Sequence, residues 1–213
     1  MKLFKRTAAT VALLGVVGGA NAGIISFSGS GGVVDSSSQT STLSVLVGDI
    51  AGYVDSILDV NLTVDFSKCS LGADASGCIG GSGFTFNSEI GFDLAHSGVN
   101  VGIVDPGTFG GQYGNARVEQ TYDDEALAAV GGSSLLDGTF QPVGSLSDFD
   151  GLSALGLWSF TFRDTVGADA LVVHDWTLDI ELAEVTAVPE PGTLALLGLG
   201  LFGLAATRRA HRE

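Results

Sequence analysis

Basic residues are almost missing from the middle of this 213-residue chain. Between Gly23 and Val188 only Lys68, Arg117 and Arg163 stand against twenty-two Asp and Glu, so that stretch is near −19 where the whole chain is −15. Such a charge repels phosphates, which argues against nucleic acid as a partner. It favours solubility, divalent cations or a hydrated matrix. Histidine is also scarce, with only His96, His174 and His211. A serine hydrolase needs a base beside its nucleophile. No G-x-S-x-G is present, because Gly151-Leu152-Ser153-Ala154-Leu155 lacks the final glycine. No H-E-x-x-H offers zinc a pair of ligands. Of the three histidines, His211 falls in a basic tail and His96, in the turn AHSGVN, is expected in a loop. His174 is in line with Trp176 and is expected in the core or at its edge. Carboxylates are plentiful and two at suitable spacing would serve a glycoside hydrolase, but no pair stands out.

Cysteine is limited to Cys69 and Cys78, both within KCSLGADASGCIGG. With no histidine nearby they make a poor zinc site. In an oxidising compartment they are expected to close a short loop as a disulfide, worth roughly 2.5–3 kcal/mol in the chain-entropy model. The alternative is a pair of free thiols.

What is present is organised by the two ends. Met1 to Ala22 has the form of a secretory signal peptide. Lys2, Lys5 and Arg6 give its charge, Ala8 to Val17 its apolar stretch, and Ala20-Asn21-Ala22 the small residues before a cut at Gly23. The last residues, Val188 to Glu213, fall into three parts. Pro189-Glu190-Pro191 blocks both helix and ladder and should leave an extended, accessible segment. Thr193 to Ala206 is uncharged and would make an apolar helix of roughly 20 Å. That is a marginal span, short of the ~20 residues a bilayer usually asks for. Arg208, Arg209 and Arg212 would hold its end on the cytoplasmic side. Within this tail Gly198 to Gly203 spells G-x-G-x-x-G, but no strand precedes it and no acid follows to hold a ribose, so it is not a dinucleotide site.

The tripartite tail resembles the PEP-CTERM sorting signal of Gram-negative bacteria that make extracellular polysaccharide. The resemblance implies transient anchoring in the membrane through the C-terminal helix, then handling by a membrane-embedded exosortase. That enzyme would cut near Pro189-Glu190-Pro191 and release the body to the cell surface or biofilm matrix.

The body alternates with a two-residue period. Leu58, Val60, Leu62, Val64 and Phe66 alternate with polar residues, as do Ile90, Phe92 and Leu94. Val99 to Val104, Trp158 to Phe162 and His174 to Leu182 follow the same rule. Only Asp123 to Val130 invites a short helical turn. Thirty-two glycines suit many tight turns. Short strands with one apolar face predict an all-β fold, a jelly-roll-like antiparallel β-sandwich flanked by a signal helix and a short C-terminal apolar helix. The expected organisation is a signal peptide at 1–22, a flexible Ser/Gly-rich start at 23–40, the sandwich at 41–185 and the sorting tail at 188–213.

From YDDEALAAVGG onward the body resembles a P domain (P/Homo B). The shared features are Gly-Thr-Phe-x-Pro, Gly-x-Trp-x-Phe-x-Phe-x-Asp and a last strand Trp-x-Leu-x-Ile. The resemblance implies an eight-stranded jelly roll of the kind that follows subtilisin-like catalytic domains, often with calcium. Between the leader and this stretch there is no catalytic domain, so peptidase activity is not carried over. Hard cations want six to eight oxygens. The acids expected to supply them are Asp123, Asp124 and Glu125, with Asp148 and Asp150 from SDFDG. The alternative is that these are solvated turn acids. The function expected first is a non-catalytic exported module that binds exopolysaccharide, surface proteins or calcium. An accessory module acting on a separate protease comes second, and a carboxylate-based glycan hydrolase third.

Overall fold

A computed structural model describes residues 21–185 apart from Ser82 and Gly114. The signal helix, the C-terminal helix, Pro189-Glu190-Pro191 and the three tail arginines lie outside the described residues. Ala22 to Val185 forms one compact unit. Its strands begin with β1 (Ala22–Val34), β2 (Ser37–Val45), β3 (Tyr53–Lys68), β4 (Ala73–Asp74), β5 (Gly77–Cys78) and β6 (Thr85–Phe86). They continue with β7 (Ile90–His96), β8 (Val99–Val104), β9 (Gln112–Tyr113), β10 (Ala116–Tyr122), β11 (Gly138–Phe140), β12 (Gly156–Asp164) and β13 (Leu171–Glu184).

Two sheets carry the fold. One is ordered β1-β13-β3-β10-β11 and the other β2-β12-β7-β8. All their pairings are antiparallel except β10 with β11. The alternation seen in the sequence explains why they pack face to face. Val60, Leu62, Val64 and Phe66 of β3 and Trp176, Leu178, Ile180 and Leu182 of β13 are fully buried. They form one core with Phe92 and Leu94 of β7 and Trp158, Phe160 and Phe162 of β12. Phe66 meets Phe92 edge-on at 5.2 Å, and Phe160 meets Trp176 at 5.3 Å, so aromatic rings bridge the layers. The expected all-β sandwich is what forms.

Three local expectations are corrected, and a fourth is met by a single turn. The stretch 23–40 is not a flexible start: β1 pairs along β13 from Ala22 to Val34, and β2 pairs along β12. Its glycines allow close approach. A Cβ on Gly29 would lie 2.1 Å from the Trp176 ring, and one on Gly31 would lie 1.9 Å from the Val173 carbonyl. The alternation of β3 also breaks near its start. A register irregularity between Glu181 and Leu182 turns Leu58 outward, 46% exposed, and puts Ile57 in the core. Asp123 to Val130 makes one turn, Ala126 N–H to Asp123 carbonyl at 3.1 Å, and no helix follows. Instead Ala128 and Val130 exchange backbone hydrogen bonds with Gln141. Finally, His96 is a buried strand residue. It stacks on Trp158 at 4.0 Å, and its ring nitrogens sit 3.0 Å from the Leu157 carbonyl and 2.7 Å from that of Ser153.

Candidate functional site

Lys68 is the one lysine of the body, and it is fully buried. It lies on the inward parity of β3, two residues beyond Phe66, so the strand that lays down the core ends it with a cation. β12 does the mirror image. Trp158, Phe160 and Phe162 are followed two residues later by Asp164, 1% exposed. At this end of the sandwich the charges meet, with Lys68 Nζ 2.5 Å from Asp164 Oδ2. Two further acids close round the ammonium. Glu89, from the 3-10 turn Asn87–Glu89 before β7, contributes Oε2 at 3.2 Å. Asp169, from the loop after β12, contributes Oδ2 at 3.3 Å and its own carbonyl oxygen. The disulfide between Cys69 and Cys78 is formed, and the Cys69 amide donates to the Ala170 carbonyl at 2.9 Å, which ties the loops together.

Glu89 and Asp169 of this cluster line a pocket of about 450 Å³. Leu71, Phe84, Phe86 and Val166 make its walls, with Ser70, Gly167 and Ala168 beside them. Burial first, and then the neighbouring Asp169 carboxyl, push the Glu89 carboxyl up to about 7 against the opposing pull of Lys68. Burial also raises Asp164, again in opposition to Lys68. The arrangement can hold a proton near neutrality beneath an apolar mouth.

A second cleft, of about 270 Å³, lies beside the disulfide hairpin and includes Ser67, Gly77, Arg117 and His174. Of the core or core-edge placement expected for His174, a bulge selects the edge. β13 shifts register between Val173 and Asp175, so the alternation that buries Trp176 does not extend to His174. His174 is half-buried, with Nε2 2.8 Å from the Ser67 hydroxyl. Burial and the Arg117 charge lower its pKa, so the ring is neutral at pH 7. A Ser–His pair is half of a nucleophilic relay. The orienting half is not made: among the described residues no carboxylate bonds the other ring nitrogen. Asp65 gives both oxygens to Arg117, at 2.9 and 2.6 Å.

The acids expected to bind calcium are only partly brought together. Asp123, Asp124, Glu125 and Asp150 share a face with Asp59, whereas Asp148 stands exposed in the 3-10 turn Leu146–Phe149. Asp124 caps that turn, accepting from the Ser145 hydroxyl at 2.7 Å and from the Leu146 and Ser147 amides at 3.1 and 2.8 Å. Burial pushes its pKa up, but these bonds outweigh burial and hold it below the usual range. Asp59 and Asp150 are raised, by burial first and then by neighbouring carboxylates. Among the described residues no group of three or more His, Cys, Asp or Glu is placed to hold a metal ion.

Pairing in sequence could not reach Glu89, Asp164 or Asp169, which lie far from Lys68 along the chain. The readable signal was the parity: an apolar alternation that ends on a charge, in β3 and again in β12.

Comparison with known families bears on the other end of the chain. A family model of the PEP-CTERM protein-sorting motif matches residues 187–209. The chain carries a PEP-CTERM sorting motif. The match takes in Pro189, Glu190, Pro191, Arg208 and Arg209, and Arg212 lies just beyond it. The PEP-CTERM motif indicates export, a C-terminal membrane-anchored sorting signal and processing by an exosortase. The resemblance of the body to a P domain gains no support from this match, which is confined to the tail. Comparison with curated proteins finds no match. Among the described residues no helix is long and apolar enough to cross a membrane.

Proposed function

We propose that this protein is a non-catalytic binding module that its PEP-CTERM tail delivers to the cell surface or exopolysaccharide matrix. The observation that carries the binding half is the pocket over Lys68: exposed Phe84 and Phe86 stand at its mouth, and buried carboxyls lie at its floor. Concave sites with apolar walls and a few convergent polar groups are where small ligands bind. The acidity of the body suits a hydrated extracellular setting.

The delivery half is tested by fractionation. The full chain and a version ending at Val188 are expressed in an exosortase-bearing host and traced through membrane, surface and medium. The full chain is expected first in the membrane and then at the surface, and the truncated one in the periplasm or medium. Identical partitioning would remove the sorting role.

A further inference from the structure

The walls and floor of the pocket differ in kind. Leu71, Phe84, Phe86 and Val166 are 53%, 71%, 44% and 53% exposed, a cluster of apolar surface held open to solvent. At the floor the side-chain donors are already used. The three hydrogens of Lys68 Nζ face Glu89 Oε2, Asp164 Oδ2 and the Asp169 carbonyl. The Ser70 hydroxyl donates to Asn115 Oδ1, and the Phe86 amide to Asp169 Oδ2. An occupant therefore meets apolar surface and carboxyl acceptors. The charge is lopsided as well, since one ammonium faces three carboxyls.

We propose that the pocket binds a small organic ammonium, with its apolar body against Phe84, Phe86, Leu71 and Val166 and its N–H donors on Glu89 and Asp169. The proposal rests on reading the body as a binding module and supplies the ligand class. An anion meets side-chain donors already engaged and a surplus of negative charge. A cation gains from both the carboxyls and the aromatic faces. Burial of the Glu89 carboxyl favours a proton on it. The incoming ammonium replaces that proton, which leaves to solvent.

The test uses three probes that share one ring: phenethylammonium, 2-phenylethanol and 3-phenylpropionate. Each is titrated by calorimetry into the purified full chain and into the body Ala22–Val185, at about 0.15 M salt to screen the surface. At pH 8 the ammonium is expected to bind at least about tenfold more tightly than the alcohol, with no measurable binding of the carboxylate. Its affinity should fall by up to about tenfold per pH unit below 7, because binding and the Glu89 proton compete. Glu89→Gln should weaken binding about tenfold and flatten that pH profile. Phe84→Ala, at an exposed position that spares the fold, should weaken it about fivefold. Thermal unfolding checks that both variants are folded. Equal binding of alcohol and ammonium would overturn the ammonium assignment while leaving a binding module. Binding that ignores Phe84→Ala would show only attraction to an acidic surface and would overturn it too. No binding of any probe would remove the pocket as a ligand site and the binding role with it, without touching the result of the fractionation.

Discussion

Two groups of carboxyls lie along β3, and they are solved differently. Near Lys68 three acids converge on one cation, and lysine and Asp164 are both sealed from water. Near Asp59, about 30 Å away at ~3.3 Å per strand residue, Asp123, Asp124, Glu125 and Asp150 share a face on which no cation enters their interactions. Water does there what lysine does at the other site. A solvated carboxylate tolerates like-charged neighbours at small cost, whereas a buried one needs a partner or a proton. This also explains how the body uses its few cations. Lys68, Arg117 and Arg163 are each ion-paired, and the buried one has the most partners.

The comparison breaks most sharply at Lys68. Lys68→Met strands its acids and should cost about 3–5 kcal/mol in chemical denaturation at pH 7. Much of that loss should be recovered toward pH 4, where the acids protonate. No substitution on the Asp59 face should approach this size.

Removing the disulfide beside the cluster comes next. Cys69→Ser with Cys78→Ser should lower stability by roughly 2.5–3 kcal/mol. Thermal unfolding with and without reductant measures the same quantity on the unmodified chain.

The pH profile then separates the two sites. Glu89 moves from an ordinary 4.5 to about 7, so between those values the folded state holds a proton that the unfolded chain has lost. Stability should therefore be fullest at the acid end of that window and fall as pH rises from about 4.5 to 7. Glu89→Gln should remove most of this slope. If the slope persists, it belongs elsewhere.

Smaller effects come from the solvated face. Asp124→Ala loses three accepted hydrogen bonds and should cost about 1–2 kcal/mol. Asp150→Asn, which relieves the partial burial of a charge and the repulsion from Asp59 and Asp124, should stabilise by a few tenths of a kcal/mol. If both changes were neutral, the cap seen at Leu146–Phe149 would be without energetic consequence.

Much of this architecture was legible because burial writes itself into sequence as parity. The alternations ending at Phe66, Leu94, Phe162 and Leu182 located four inner strands, and the sandwich followed from them. β1 escaped notice because its inward positions mix Ile25 and Phe27 with the glycines Gly23 and Gly29. Gly29 contributes space for Trp176 and not apolar bulk, and a pattern search sees bulk. The bulge at His174 and the irregularity at Leu58 escaped for another reason: one extra residue in a ladder reverses parity, and only the partner strand reveals it. The pocket was the least legible of all. Its acids sit at 89, 164 and 169, and three separate segments must converge before the cluster exists.

By itself the sequence determined the sorting tail, the acidity of the body and the two-residue rhythm of its strands. Those are local or additive properties, carried by contiguous motifs, summed charges and alternating side chains. Tertiary structure alone decided that Lys68 is buried among three acids, that Ser67 meets His174 without an orienting carboxylate, and that Phe84 and Phe86 stand over a carboxyl floor. Such features depend on register and on which strand ends meet across two sheets, and no single segment encodes them.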